Sequence, residues 1–244
     1  MPNRPLRHFH ALLELLHARL LEMAGEAEKL LHRATQGVLL RDPALLEPIE
    51  AGDARVDALE LDVDERALEL LALQQPMAKD LRQIVATLKI SNDLERVGDH
   101  AVRIARSGLE VLRHSPIPDL PQLEEMVRMS QGMLSDALGA YSLRDTVVAR
   151  ELRIRDRAVD QLRSNVQRLL VAHMLEDPRR ITPALELIRI SQSLERVADL
   201  STNIAEEIVF QVEGQVIRHL PEPPLMDSAG GEGTSDPSGG NPIH

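Results

Sequence analysis

Apolar positions return every three or four residues from His8 to Arg218, the period of an amphipathic helix, and Pro and turn residues interrupt the pattern at a few places. The interruptions predict six helices. The first runs over about 8–38, and Asp42-Pro43 supplies an acceptor and a preset φ for the next start. The second reaches about Leu73, with Pro48 and Gly52 delaying its regular part. Gln75-Pro76 turns the chain into a third helix over about 77–113, which three prolines between Ser115 and Pro121 bring to a stop. A fourth helix covers about 122–143. Asp145 caps a fifth that ends near Leu175, and Thr182-Pro183 opens a sixth that ends near Arg218. From Leu220 onward five Pro, five Gly and four acids without any Lys or Arg predict a disordered acidic tail over 220–244.

Composition narrows the class to all-α. The chain of 244 residues has one Tyr, two Phe and no Trp, while Leu, Ala, Glu and Arg abound, so strand material is scarce and helix formers are plentiful. A formal charge of −11 disfavours nucleic acid, whose phosphates call for a basic stripe. With no Cys, thiolate sites are excluded, and any bound metal is held by oxygen or imidazole. No signal-peptide pattern and no run of eighteen apolar residues occurs, which predicts a soluble cytoplasmic protein that meets a membrane only through protein partners.

An internal repeat organises the chain. Ile90-Ser-Asn-Asp-Leu-Glu-Arg-Val-Gly-Asp99 returns as Ile190-Ser-Gln-Ser-Leu-Glu-Arg-Val-Ala-Asp199, one hundred residues later. Upstream, Asp53-Ala-Arg-Val-Asp-Ala-Leu59 returns as Asp156-Arg-Ala-Val-Asp-Gln-Leu162 at an offset of 103. The predicted architecture is a tandem of two antiparallel three-helix bundles, 1–114 and 122–219, followed by the tail.

Each repeat carries two acid pairs at i,i+4, which share one helix face: Asp53 with Asp57, Glu95 with Asp99, Asp156 with Asp160, and Glu195 with Asp199. In an antiparallel hairpin, facing residues have a constant sum of numbers. Asp57 with Glu95 and Asp53 with Asp99 share one sum, centred on Pro76; Asp160 with Glu195 and Asp156 with Asp199 share another, centred between Asp177 and Pro178. Both centres are turns already marked by Pro, so four carboxylates are expected at one level of each hairpin. Glu95 and Asp99 continue the line of Leu81 and Leu88, and Glu195 and Asp199 that of Ile181 and Ile188, whereas Arg82, Lys89, Arg96 and His100 are expected to face water. Gathering like charges is unfavourable, and a hard cation compensates directly. Pairing with Arg55, Arg96, Arg103, Arg155 or Arg196 is the plainer alternative.

The Leu-Glu-Arg-Val-Gly-Asp and Leu-Glu-Arg-Val-Ala-Asp segments, each preceded by an Asp-x-x-x-Asp helix, resemble the PhoU family of phosphate-signalling proteins over about residues 8–219. Asp80-Leu-Arg82, Asn203-Ile-Ala-Glu206, Gly214 and His219 add to the likeness. The resemblance implies two three-helix bundles with multinuclear clusters of iron or zinc, with manganese or magnesium as further options. Its ligands here are Asp53, Asp57, Glu95 and Asp99 for one cluster and Asp156, Asp160, Glu195 and Asp199 for the other. It also implies a non-enzymatic homodimer that restrains phosphate uptake and the starvation response through a sensor histidine kinase and the ATPase of a phosphate ABC transporter. Ala198 replaces the usual Gly, and Leu200 and Asn203 stand where the first repeat has His100 and Arg103.

Two other readings stay open on the residues alone. A ferritin-like di-iron enzyme needs paired Glu-x-x-His motifs, and only Glu14-x-x-His17 is present, with His17 expected at the surface. A helical scaffold without metal needs no special acid placement. Nucleotide, hydrolase and zinc-protease signatures are missing. Met23, Met126, Met129, Met133 and Met174 fall at helical spacings that suit gap-filling in a core.

Overall fold

The computed structural model describes residues 4–74, 76–118 and 120–218; the predicted tail over 220–244 and His219 lie outside them. The elements are α1 (Arg4–Leu39), a single turn α2 (Pro43–Leu46), α3 (Ile49–Gln74), α4 (Ala78–Leu112), α5 (Pro121–Leu143), α6 (Thr146–Glu176) and α7 (Ile181–Glu213), with a 3-10 turn at Pro178–Arg180. The described residues contain no strand. The six long helices are those the periodicity predicts.

Local chemistry sets the ends. Asp42 accepts from the Ala44 amide and Asp145 from the Val147 and Val148 amides, so each caps orphan donors at a helix start. At the last terminus the structure differs from expectation: α7 ends at Glu213, not near Arg218. Gly214 takes φ +74°, its amide donating to the Phe210 carbonyl, and this left-handed cap stops the helix while Ile217 folds back into the core.

In α1 the core line is Phe9, Leu13, Leu16, Leu20, Met23, Ala27, Leu30 and Ala34, all buried, spaced alternately by four and three residues. That seam packs α1 on α3 and α4, while α5, α6 and α7 pack on one another in the same manner. The two groups are joined most extensively by α4 lying along α7, and buried apolar side chains of both form one continuous core. The burial pattern of residues 91–100 recurs without change in 191–200. Met23, Met126 and Met133 are fully buried, and Met129 and Met174 pack against the core, as gap-fillers do.

Two histidines depart from expectation. His17 is half-buried, its Nδ1 3.0 Å from the Tyr141 hydroxyl, which in turn lies 3.4 Å from Thr87 Oγ1. His100 is buried, because the face of α4 that carries it is covered by α7; periodicity within one helix cannot reveal a helix that covers a second face.

Candidate metal centre

On α3 the core line Ile49, Val56, Val63, Ala67 and Leu70 has two gaps in its four-and-three spacing, filled by Asp53 and Glu60. On α6 the matching line Leu152, Val159, Val166 and Leu170 has the same two gaps, filled by Asp156 and Arg163. Asp53 and Asp156 therefore occupy positions that the helix phase directs at α4 and α7. Asp57 and Asp160, one turn on, are exposed.

The facing acids come from α4 and α7. Glu95, Asp99, Glu195 and Asp199 are half-buried, on the margin of the apolar stripe. The line they continue is itself marginal, since Leu81 and Ile181 are largely exposed, and the fully buried stripe of α4 is Ile84, Ile90, Leu94, Val97 and Ala101. Placement at a half-buried margin leaves the oxygens both desolvated and reachable.

The acids of each quartet lie close enough to repel one another. Burial raises the Asp53 carboxyl to about 6, helped by the charges of Asp57, Asp99 and Glu95. Burial also raises Asp156 to about 6, helped by Asp199, Asp160 and Glu195. Glu95 and Glu195 are raised too, first by burial and then by the neighbouring aspartates. All four acids of each repeat thus lie within one another's field, on the side of each hairpin that the sums predict.

Arginine pairing accounts for part of the set. Arg103 reaches Asp99 at 3.2 Å, and Arg196 reaches Asp199 at 2.8 Å and Glu195 at 3.5 Å. Arg55, Arg96 and Arg155 instead pair with Glu22, Asp93 and Asp136. Asp53 Oδ1 is buried with no hydrogen-bond partner. An uncompensated buried carboxylate oxygen costs roughly 1–3 kcal/mol, which a bound cation relieves.

Among the described residues, no three acidic or imidazole side chains converge as a ready-made cage. Like charges spread apart, and Asp99 and Asp199 turn toward arginines. The donor set, oxygen only with one orphaned atom, is of the kind a hard or borderline cation accepts.

Sequence reasoning missed two members. Glu60 is raised by burial and by Glu95, Asp64 and Asp57, so it belongs to the first acidic group. Its counterpart Arg163 lies 3.9 Å from Glu195 in the second. The seam register of α3 and α6 is the signal that exposes both.

Comparison with known proteins bears on this arrangement of paired acidic hairpins. The PhoU domain model matches residues 20–108 and 123–208, one match per repeat. The chain belongs to the PhoU family. It is 37% identical over 216 residues to the phosphate-specific transport system accessory protein PhoU homolog of Caulobacter vibrioides, covering 88% of this chain and 94% of that one. It is 35% identical over 212 residues to the phosphate-specific transport system accessory protein PhoU of Serratia marcescens, covering 87% of each. The crystal structure of PhoU from Pseudomonas aeruginosa superposes with a TM-score of 0.82 at 33% identity, over 85% of this chain and all of that one. Each of the two PhoU domain matches spans one carboxylate quartet of this chain, and no helix among the described residues is long and apolar enough to cross a membrane.

Proposed function

We propose that this PhoU-family chain is a cytoplasmic, non-enzymatic regulator of phosphate transport that holds metal at its two quartets. It restrains phosphate uptake and the starvation response by contacting a sensor histidine kinase and the transporter ATPase, as a homodimer. The observation that carries the reading is the placement of two carboxylate quartets at matching levels of two hairpins. The accessory role in phosphate transport named for the Caulobacter and Serratia relatives supports the biological assignment.

Asp53, Asp57, Glu95 and Asp99 would hold metal in the first repeat, with Glu60 beside them, and Asp156, Asp160, Glu195 and Asp199 in the second. Bound cations, iron or zinc first, would neutralise the clustered charge and cross-link α3 to α4 and α6 to α7. The residues' own part is positional: Asp53 and Asp156 present oxygens from the helix seam, while Arg103 and Arg196 hold Asp99 and Asp199 until a stronger charge displaces them.

Elemental analysis of the full chain purified without chelator, combined with capture of the transporter ATPase, tests the reading. Bound metal that is lost in the double variant Asp99→Ala with Asp199→Ala, and retention of the ATPase by the wild-type chain, are expected. Metal-free protein whose melting does not respond to added iron, manganese or zinc would sink the metal assignment. Failure to retain the ATPase would sink the adaptor assignment.

A further inference from the structure

Between α4, α6 and α7 lies an open cleft of about 570 Å³ whose wall carries six arginines, Arg96, Arg103, Arg106, Arg163, Arg189 and Arg196. The carboxylate in the wall is Glu195. In a chain with a formal charge of −11, such a concentration of guanidinium groups runs against the background. Two polar atoms at the cleft, His100 Nδ1 and Arg163 Nε, are buried without a hydrogen-bond partner, and His100 is only 7% exposed.

The pseudo-symmetry of the fold provides an internal control. The positions one hundred residues away form a second cleft, with Lys89, Asn92, Asp93, Asn203 and Glu207 in its wall. Two acids in that wall pair with its cations, Lys89 reaching Glu207 at 3.0 Å and Arg96, which borders both clefts, reaching Asp93 at 3.6 Å; the basic cleft has one wall acid, Glu195, 3.5 Å from Arg196 and 3.9 Å from Arg163. In the basic cleft the counterparts of Asp93 and Glu207 are Ser193 and Ser107, that of Asn203 is Arg103, and that of Glu206 is Arg106. Two wall acids have become hydroxyls, and arginine replaces Asn203 in the wall and Glu206 just outside it. Arg189 turns to Glu186 at 2.6 Å, Arg106 to Glu50 at 2.7 Å and Arg103 to Asp99 at 3.2 Å, partners that stand outside the cleft wall. The Arg106–Glu50 and Arg103–Asp99 pairs are exposed on both sides, hence weak and readily exchanged for a multiply charged anion, whereas the partner of Arg189 is buried.

We propose that this cleft is a binding site for a phosphate oxyanion carrying more than one phosphoryl group. Planar guanidinium forks match phosphoryl oxygens two at a time, and the Ser107 and Ser193 hydroxyls add neutral donors where carboxylates would repel. The cavity is several times larger than a single tetrahedral anion needs. None of the chain's Phe or Tyr side chains lines it, so it has no platform on which a nucleobase would stack. The site shares Glu195 with the second quartet but does not depend on the regulatory reading.

The test is calorimetric titration of the full chain, stripped of metal beforehand so that anions held by a quartet cation do not contribute, with pyrophosphate, orthophosphate, sulfate, ATP and a hexaglutamate peptide. Pyrophosphate is expected to bind saturably and at least about tenfold tighter than orthophosphate or sulfate, since it engages more forks. Equal binding of ATP also supports a site that reads phosphoryl groups alone. Ser107→Glu with Ser193→Asp, which copies the second cleft, is expected to weaken pyrophosphate tenfold or more. Arg189→Gln, at an exposed side chain whose loss also leaves the buried Glu186 without its partner, is expected to weaken it severalfold with unchanged helicity. Absence of saturable pyrophosphate binding, binding indifferent to both variants, binding of ATP alone, or binding of the peptide alone overturns the proposal.

Discussion

Gly98 on α4 faces Asp53 on α3 so closely that a methyl group added at Gly98 would collide with Asp53 Oδ1. The obstacle is the end of a short side chain, and Gly to Ala in a helix interior is itself favourable by roughly 0.5–1 kcal/mol. Gly98→Ala is therefore expected to leave the melting temperature unchanged or slightly raised, while displacing the Asp53 carboxylate and weakening the first quartet's response to added cation. Ala198 already occupies the matching position beside Asp156. Thermal melts with and without manganese measure both effects.

Asp156→Asn removes one charge from a desolvated group of four. In metal-free protein it is expected to raise the melting temperature by about 2–4 °C, the shift that ~1 kcal/mol produces in a chain of this length. In the presence of zinc or manganese the order should reverse, with the wild type gaining more than the variant. Differential scanning calorimetry on both proteins checks the reversal; an equal response to cation would remove Asp156 from the site.

Asp53, Asp93 and Asp156 are each raised to about 6, chiefly by burial, so the folded state holds protons that the unfolded chain releases near pH 4. Their favourable contribution is complete below about pH 4 and is lost as pH rises through 6. His100, pushed down to about 4 by burial, acts in the opposite sense, losing stability as pH falls below its unfolded value. Glu60, Glu95 and Glu195 are also raised by burial and His17 is also lowered by it, so six raised carboxyls against two lowered imidazoles predict that metal-free protein is more stable to urea at pH 5 than at pH 7. Asp53→Asn with Asp156→Asn should reduce that difference.

Tyr141 is the only tyrosine in a chain without tryptophan, which makes its ionisation directly visible in the near ultraviolet. Burial raises its phenol to about 12. The stabilisation is fully present below pH 10 and is lost as pH climbs through 12. A spectrophotometric titration should find the phenolate appearing about two pH units later in folded protein than in guanidinium, and no such signal in Tyr141→Phe.

Much of this was legible in the sequence because it depends on local rules. Pro76 and Pro178 fix the turns, and the antiparallel register then forces Asp53 toward Asp99 and Asp156 toward Asp199, which is why simple sums located the quartets. What escaped depends on contacts between helices far apart in the chain. His100 reads as a water-facing residue until α7 is laid over it, and His17 does so until Tyr141 arrives from α5. Glu60 and Arg163 escaped for a different reason: their helices have polar residues in the seam itself, so the seam is recognisable only once its apolar members are known to be buried. The end of α7 was misplaced because the apolar spacing continues through Ile217, while the backbone obeys Gly214.

The long contact of α4 with α7 has a consequence for synthesis. The ribosome finishes α4 well before it begins α7, the last helix among the described residues, so the stripe of α4 destined for α7 emerges with nothing to cover it. A released fragment that ends at residue 114 should therefore engage holding chaperones or associate with its own kind, a tendency that the chain through residue 213 should lose.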